Sequence, residues 1–282
     1  MTTTRPVALV TGATSGIGAL AAAALASAGY QVIGTGRRTE GSTPPRGVTL
    51  MDLDVTSDES VTATVQRVVQ RFGHIDVLVN NAGIGAAGAA EETSLTQDRQ
   101  VFEVNVFGVM RVTKAVLPQM RAQGSGRIIN ISSIFGLIPA PFMAAYSATK
   151  HAIEGYSESV DHEVRDHGIR VLLVEPAGTR TGFDDNTVSP ENPIEAYAPQ
   201  RLAVGKVVTD AVNDGDDPAL VAAAVVAAAT DRRPKQRYPA SPTARRLGTA
   251  RRLVPARVFD RQIRKFNNLS TNKEAAHEHL PR

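Results

Sequence analysis

The chain contains no cysteine. Disulfides, thiolate metal sites and a cysteine nucleophile are therefore excluded. It also lacks any apolar run of the roughly eighteen residues or more that a membrane span needs. The longest such run, ALVAAAVVAAA (219–229), is Ala-rich and suits a packed helix. The opening MTTTRPVALVTG has no apolar stretch behind a basic one, so no signal peptide is expected and the cytoplasm is the default location. Acidic residues are scarce near the C-terminus: across 232–265 the charges are basic except for Asp260.

What is present fits an ordinary globular protein. The 282 residues are 42% hydrophobic and 21% charged, enough for one large α/β domain or two small ones. Short apolar runs alternate with helical patterns. VALVTG (7–12), QVIGTG (31–36), VTLMDLDV (48–55), IDVLVNNAG (75–83), GRIINISS (126–133) and IRVLLVEPAG (169–178) read as strands, with QRYPAS (236–241) as a seventh. Helices are expected after the first strand, over 57–71, over 97–122 and over 144–166. The second of these begins with the capping and acidic residues Thr56, Ser57, Asp58 and Glu59. Strands that are apolar throughout and separated by helices indicate a parallel sheet covered on both faces. The expected fold class is α/β: a doubly wound parallel sheet of about seven strands in a single domain over 1–240, followed by a basic C-terminal extension over 241–282. Residues 181–201, rich in Pro, Asn, Asp and Glu, read as a long loop or lid over the substrate.

TGATSGIG (11–18) joins the first strand to the first helix. Gly12, Gly16 and Gly18 permit a tight turn and a close backbone approach, and Thr14, Ser15 and Ile17 lie between them. Such a turn aims a helix N-terminus at a pyrophosphate. About twenty residues further on, where a carboxylate would bind the ribose 2′-hydroxyl of NAD, the chain has Arg37 and Arg38. Guanidinium groups bind a 2′-phosphate through paired hydrogen bonds, which favours NADP(H), with Arg37 the leading candidate. Asp54 and Val55, at the end of the third strand, are candidates for the adenine side. Asn81, Ala82 and Gly83, at the end of the fourth, are candidates for the adenine–ribose side.

YSATK (146–150) places Tyr146 and Lys150 four apart, on one helix face. A free tyrosine, with a pKa near 10, is a poor acid or base at neutral pH. A neighbouring cation favours the phenolate. Bringing the pKa to near 7 needs about 4 kcal/mol, which a lysine and an oxidised nicotinamide together can supply in large part. Tyr146 then becomes a usable general acid/base. His151 points off the shared face and is read as structural.

Together TGATSGIG, NNAG, Asn105 in EVNVFG, Ser133 and YSATK resemble the short-chain dehydrogenase/reductase family in order and spacing, from Val7 to about Gly182. The resemblance implies a Rossmann fold and a catalytic set of Asn105, Ser133, Tyr146 and Lys150. Ser133 would hydrogen-bond the substrate oxygen, Tyr146 would transfer the proton, Lys150 would tune the tyrosine and bind ribose, and Asn105 would complete a proton relay through water. EPAGTRT (175–181) is similar to the family's segment beside the nicotinamide, so Pro176, Gly178 and Thr181 join the cofactor set, with Ala177 where the family has glycine. The branch it most resembles holds hydroxysteroid and retinol dehydrogenases. No metal is implied. Relatives commonly pair through the long helices, so a homodimer or homotetramer is expected. A nucleotide-sensing or scaffold protein on the same fold is the alternative, but it would have no chemical need for all four catalytic groups.

Between Ser133 and Tyr146, SIFGLIPAPFMAAY is largely apolar, and Phe135, Phe142 and Met143, with Phe183 and Tyr197 of the lid, are candidates to contact a lipophilic alcohol or ketone. The tail TARRLGTARRLVPARVFDRQIRKF (243–266) alternates basic pairs with apolar residues. It can lie on an anionic membrane surface, dock an acidic partner, or pack on the acidic remainder of its own domain or of a second subunit, the last being favoured. Nucleic acid is not expected, because no aromatic platform accompanies the charges.

Overall fold

The computed structural model describes residues 5–269. Its sheet has seven parallel strands in the order β3-β2-β1-β4-β6-β7-β9. The strands are β1 (Val7–Val10), β2 (Gln31–Gly36), β3 (Val48–Asp52), β4 (Val77–Asn80), β6 (Gly126–Ile131), β7 (Ile169–Glu175) and β9 (Arg237–Pro239). Two short strands, β5 (Gly85–Ala86) and β8 (Thr187–Val188), pair separately. Every residue of β1 and β4 is buried. Successive residues face opposite sides, which is why a continuous apolar run was needed. Ala8 and Val10 belong to one core with α1 (Gly16–Ser27) and α7 (Pro218–Thr230). Val7 and Leu9 belong to the other, with α2 (Asp58–Phe72), α4 (Gly108–Gln123) and α5 (Ala144–Val164).

Local chemistry sets the helix ends. Ser57 accepts the Ser60 amide at the start of α2, and Gly73, at φ 81°, closes it in the left-handed region. Ser94 and Gln97 form a capping box for α3 (Leu95–Phe102). The single helix expected over 97–122 is instead α3, a π-helical turn over Glu103–Phe107, and α4. The wide turn coincides with Asn105, whose side chain is drawn sideways onto the backbone of Ile84. Residues 181–201 contain β8 and two short helical turns, and lead directly into α6 (Ala198–Asn213).

The tail forms α8 (Pro242–Leu253) and α9 (Ala256–Phe266), broken at Pro255. Their apolar residues pack inward. Phe259 is buried against Ile134 and Ile138, with Leu247, Val254 and Ile263 around it. Arg251 lies 5.2 Å from the centre of the Phe259 ring and donates to the Leu137 carbonyl at 3.3 Å. Arg245, Arg246, Arg252, Arg257 and Arg261 are exposed. The tail packs on its own domain through these apolar contacts, with Arg251 adding its hydrogen bond and ring contact. Among the described residues no helix is long and apolar enough to cross a membrane.

Removing the Phe259 ring should release the tail, because truncating a buried phenylalanine costs about 3 kcal/mol or more. Phe259→Ala is expected to speed trypsin cleavage within α8 and α9 while the sheet domain stays intact. Equal cleavage rates in the two proteins would show that Phe259 does not hold the tail.

Candidate active site

The strand order reverses between β1 and β4, and the crevice beyond their carboxyl ends is where ligands bind in such sheets. The glycine turn lies there. Gly12 has φ +65°, and a Cβ on it would come within 2.9 Å of the Ala82 Cα. A Cβ on Gly18 would sit 2.1 Å from the Gly12 carbonyl oxygen. Ser15 makes no side-chain cap, so the first amides of α1 are free for an anion. Thr11, which the sequence reading passed over, holds this turn to β4. Its hydroxyl accepts the amides of Asn81 and Ala82 at 3.0 and 3.1 Å. The Asn81 side chain donates to the carbonyls of Thr11 and Gly12, each at 3.0 Å, so it supports the turn and leaves backbone to face the crevice.

The methyl of Thr14 fits against Gly36, where a Cβ would be 2.7 Å away. Arg37 and Arg38 follow in the open, exposed to solvent. Asp54 is engaged in its own turn, accepting the amide and hydroxyl of Thr56 at 2.9 and 2.8 Å. Burial raises its pKa, but the Thr56 bonds and the Arg37 charge outweigh this and leave it below the usual carboxylate range. Val55 is buried against Gly108, and its carbonyl accepts from Arg111 at 2.6 Å. These contacts fit a dinucleotide: a cradle that any side chain would fill, free helix amides, and exposed cations at the end of β2. Gly12, Gly16, Ile17 and Gly18 would hold the pyrophosphate of a dinucleotide.

Ser133 lies just beyond β6 and opens a 3-10 turn over Ile134–Gly136, accepting the Phe135 amide at 3.2 Å. Tyr146 and Lys150 lie one turn apart on α5, both buried. The Lys150 ammonium donates to the Ile131 carbonyl at 2.9 Å and lies 5.6 Å from the centre of the Tyr146 ring. Asn105 accepts the Ile84 amide at 2.9 Å and donates to the Ile84 carbonyl at 2.8 Å and to the Thr149 hydroxyl at 3.2 Å. Thr149 donates in turn to the Tyr146 carbonyl at 2.7 Å. The four expected groups thus converge on one end of the sheet. His151 is exposed at the helix surface and bonds the Ser147 carbonyl.

The protein environment alone does not make Tyr146 a neutral-range acid. Burial pushes its pKa up to about 12, with a hydrogen bond to Ser133 opposing. Burial pushes Lys150 down to about 8, with the Glu154 charge opposing. The spacing of YSATK shows which groups are paired, and burial decides how far the pairing shifts them.

Phe135 and Phe183 flank the Tyr146 ring at 6.5 and 5.9 Å, and Met143 joins the same apolar cluster. Phe142 stands slightly apart, 6.4 Å from the Tyr197 ring, at a φ of 60° that a bulky residue rarely adopts. Beside Met143 a cavity of about 270 Å³ is lined by Ala86, Phe102, Ala144 and Ala148. The 181–201 segment is tied down by residues the sequence reading missed. Glu92, 2% exposed, accepts the Ile194 amide at 2.8 Å and pairs with Arg201. Gln97 donates to the Ser189 carbonyl at 2.6 Å. Pro176 accepts the Ile134 amide at 2.8 Å. Ala177 has an ordinary φ, and the close approach falls on Gly178, where a Cβ would lie 2.4 Å from the Ala211 carbonyl oxygen. Thr181 comes over Gly16 at the start of α1, 3.8 Å from where a Cβ would stand.

A family model for short chain dehydrogenases matches residues 6–192. A 3-ketodihydrosphingosine reductase of Bacteroides thetaiotaomicron is 39% identical over 219 residues, 77% of this chain and 81% of that protein. A crystal structure of a short-chain dehydrogenase from Streptomyces avermitilis superimposes with a TM-score of 0.80 at 39% identity, covering 93% of this chain and 98% of that one. A short-chain dehydrogenase/reductase from Burkholderia phymatum in complex with NAD superimposes at 0.75, with 29% identity and 88% and 92% covered. A metagenomic short-chain oxidoreductase in complex with NADP does so at 0.65, with 28% identity and 83% and 96% covered.

In the protein without cofactor, Tyr146 should stay protonated through pH 10. The difference in tyrosinate absorbance between wild type and Tyr146→Phe is expected to appear only as the pH approaches about 12. A step near pH 7 would contradict the burial argument.

Proposed function

The chain belongs to the short-chain dehydrogenase/reductase family of oxidoreductases, and we propose that it uses NADP(H) to interconvert a lipophilic secondary alcohol and ketone, or a primary alcohol and aldehyde. The observation that carries this reading is the meeting of Ser133, Tyr146, Lys150 and Asn105 at one strand end beneath an apolar wall of Phe135, Met143 and Phe183. When bound, the nicotinamide supplies or accepts the hydride at the substrate carbon. Ser133 donates a hydrogen bond to the substrate oxygen and orients it. In reduction the Tyr146 hydroxyl gives its proton to that oxygen, and in oxidation the phenolate takes it back. Lys150, fixed by the Ile131 carbonyl, favours the phenolate by charge and offers its ammonium to the ribose. Asn105, locked in the π-helical turn, supports the water path by which the tyrosine regains its proton.

NADP(H) is favoured over NAD(H) because β2 ends in exposed Arg37 and Arg38 with no carboxylate beside them in sequence. The apolar wall and the relative named for 3-ketodihydrosphingosine support a lipid-, steroid- or retinoid-like substrate. The cytoplasm is the proposed location and a homodimer or homotetramer the proposed assembly. The outward faces of α8 and α9 carry exposed arginines around Leu253 and Phe266, which are 77% and 66% exposed, and suit an anionic lipid surface that a lipophilic substrate would occupy.

Turnover of long-chain or polycyclic ketones with NADPH is the expected outcome of an absorbance assay. Arg37→Ala should weaken NADP(H) binding by about tenfold to a hundredfold, the worth of a charge-assisted contact, and leave NAD(H) binding nearly unchanged. A wild-type preference for NAD(H) would overturn the cofactor reading. Tight cofactor binding with no turnover of any compound would favour a sensor.

Liposomes rich in anionic lipid should sediment the protein at low salt, and Arg245→Glu with Arg252→Glu should reduce this severalfold. Sedimentation unaffected by those charges, or none at all, removes the membrane surface from the proposal.

A further inference from the structure

One turn beyond Lys150 on α5 lies a second set of buried charges that the hydride chemistry does not use. Glu154 is 5% exposed and Glu175 of β7 is 3% exposed. Arg237 reaches in from the edge strand β9. Its guanidinium pairs with Glu154 and donates to Glu175 at 2.7 Å and to Glu158 at 2.6 Å. The Ser132 hydroxyl hydrogen-bonds Glu154, and both side chains sit against Gly136, where a Cβ would be 2.8 Å from Ser132 Oγ and 3.0 Å from Glu154 Cγ. Ser132 directly precedes the catalytic Ser133, and Gly136 closes the turn that Ser133 begins.

The groups facing Glu154 are therefore Lys150 and Glu158 on its own helix, Glu175 from β7, Arg237 from β9 and the Ser132 hydroxyl at the end of β6. Two cations meet three carboxylates, and only Glu158, with 44% of its side chain exposed, reaches solvent freely. Two buried carboxylates that share one guanidinium compete for it, which favours a proton on one of them.

We infer that Glu154 is a positioning residue that keeps the Lys150 ammonium charged inside the site, and that Arg237 keeps Glu154 ionised for that purpose. Charge thus passes from β9, through α5, to the lysine beside Tyr146. Its consequence for turnover rests on the function proposed above, whereas the coupling of Lys150 to Glu154 does not. Burial drives Glu154 up to about 7, with Ser132 and Arg237 opposing. Burial drives Lys150 down to about 8, and the Glu154 charge is what opposes it. Removing that charge therefore lets Lys150 lose its proton at lower pH.

The test is a carbon-13 NMR titration of the cofactor-free protein, labelled at lysine Cε and glutamate Cδ. The Lys150 signal is assigned by its loss in Lys150→Arg, and the Glu154 signal by its loss in Glu154→Gln. The Lys150 midpoint is expected near 8 in wild type. It should fall by about one pH unit in Glu154→Gln and in Arg237→Gln, and stay in place in Glu158→Gln. An unchanged Lys150 midpoint in Glu154→Gln overturns the inference. Should the variants fail to fold, the wild-type Lys150 signal decides alone: a second inflection as the Glu154 carboxyl titrates supports the inference, and a Lys150 curve blind to that titration ends it. In an active enzyme, the alkaline limb of the kcat/KM profile for ketone reduction should move with the Lys150 midpoint. A limb that stays fixed while the NMR midpoint moves would overturn the link to catalysis. Coupling seen by NMR in a protein that turns nothing over would support the inference and count against the proposed function.

Discussion

Lys150 reaches from α5 to the Ile131 carbonyl at the end of β6, and an ammonium buried there constrains everything around it. Taking such a charge out of water costs several kcal/mol unless partners surround it. The strand carbonyl, the face of Tyr146 and the carboxylate of Glu154 are those partners. The same contact fixes α5 against β6 so that Tyr146 stands beside Ser133. A helix turned by one residue would carry both the lysine and the tyrosine away from the strand end. The reactive pair and the fold are thus specified by one interaction, and the charges behind it extend that specification to β7 and β9.

The other half of the site follows from the parallel sheet. Strands buried on both faces leave only their carboxyl ends open to a ligand. At that edge the backbone must turn tightly and approach closely, so side chains give way to Gly12 and Gly18 at the β1–α1 turn. Thr11 and Asn81 then bind the turn to β4. On the far side, Asn105 widens its helix into a π-helical turn in order to hold Ile84. Pro176, Ile134 and the docked tail brace the opposite wall, so Phe259 supports the loop that carries Ser133 without touching the reacting groups.

Much of this was readable from the residues because it is local. The apolar runs gave the seven strands, and YSATK placed two side chains on one face whatever surrounds them. The glycine turn followed from the steric demand of its own backbone. What could not be read depends on contacts far apart in the chain. Glu92 meets Arg201, and Glu154 meets Arg237, only after the fold brings the turn before α3 to α6, and α5 to β9. The π-helical turn looks like ordinary helix in sequence, since Asn105 reveals its partner only when β4 and its following loop are in place. The tail reads as a basic helix seeking an acidic surface, yet four apolar side chains decide where it lies. The upward pull of burial on Tyr146 was hidden for the same reason: the sequence shows the neighbouring charge and conceals the burial.

Transfer of a label tests the central claim most directly. The protein would be incubated with a long-chain ketone and NADPH deuterated at C4 of the nicotinamide, on each face in turn. If Tyr146, Ser133 and Lys150 form a hydride-transfer site, deuterium from one face appears at the carbinol carbon of the product, and Tyr146→Phe reduces this by orders of magnitude. Product free of deuterium with either face, or equal labelling by Tyr146→Phe, would contradict the account.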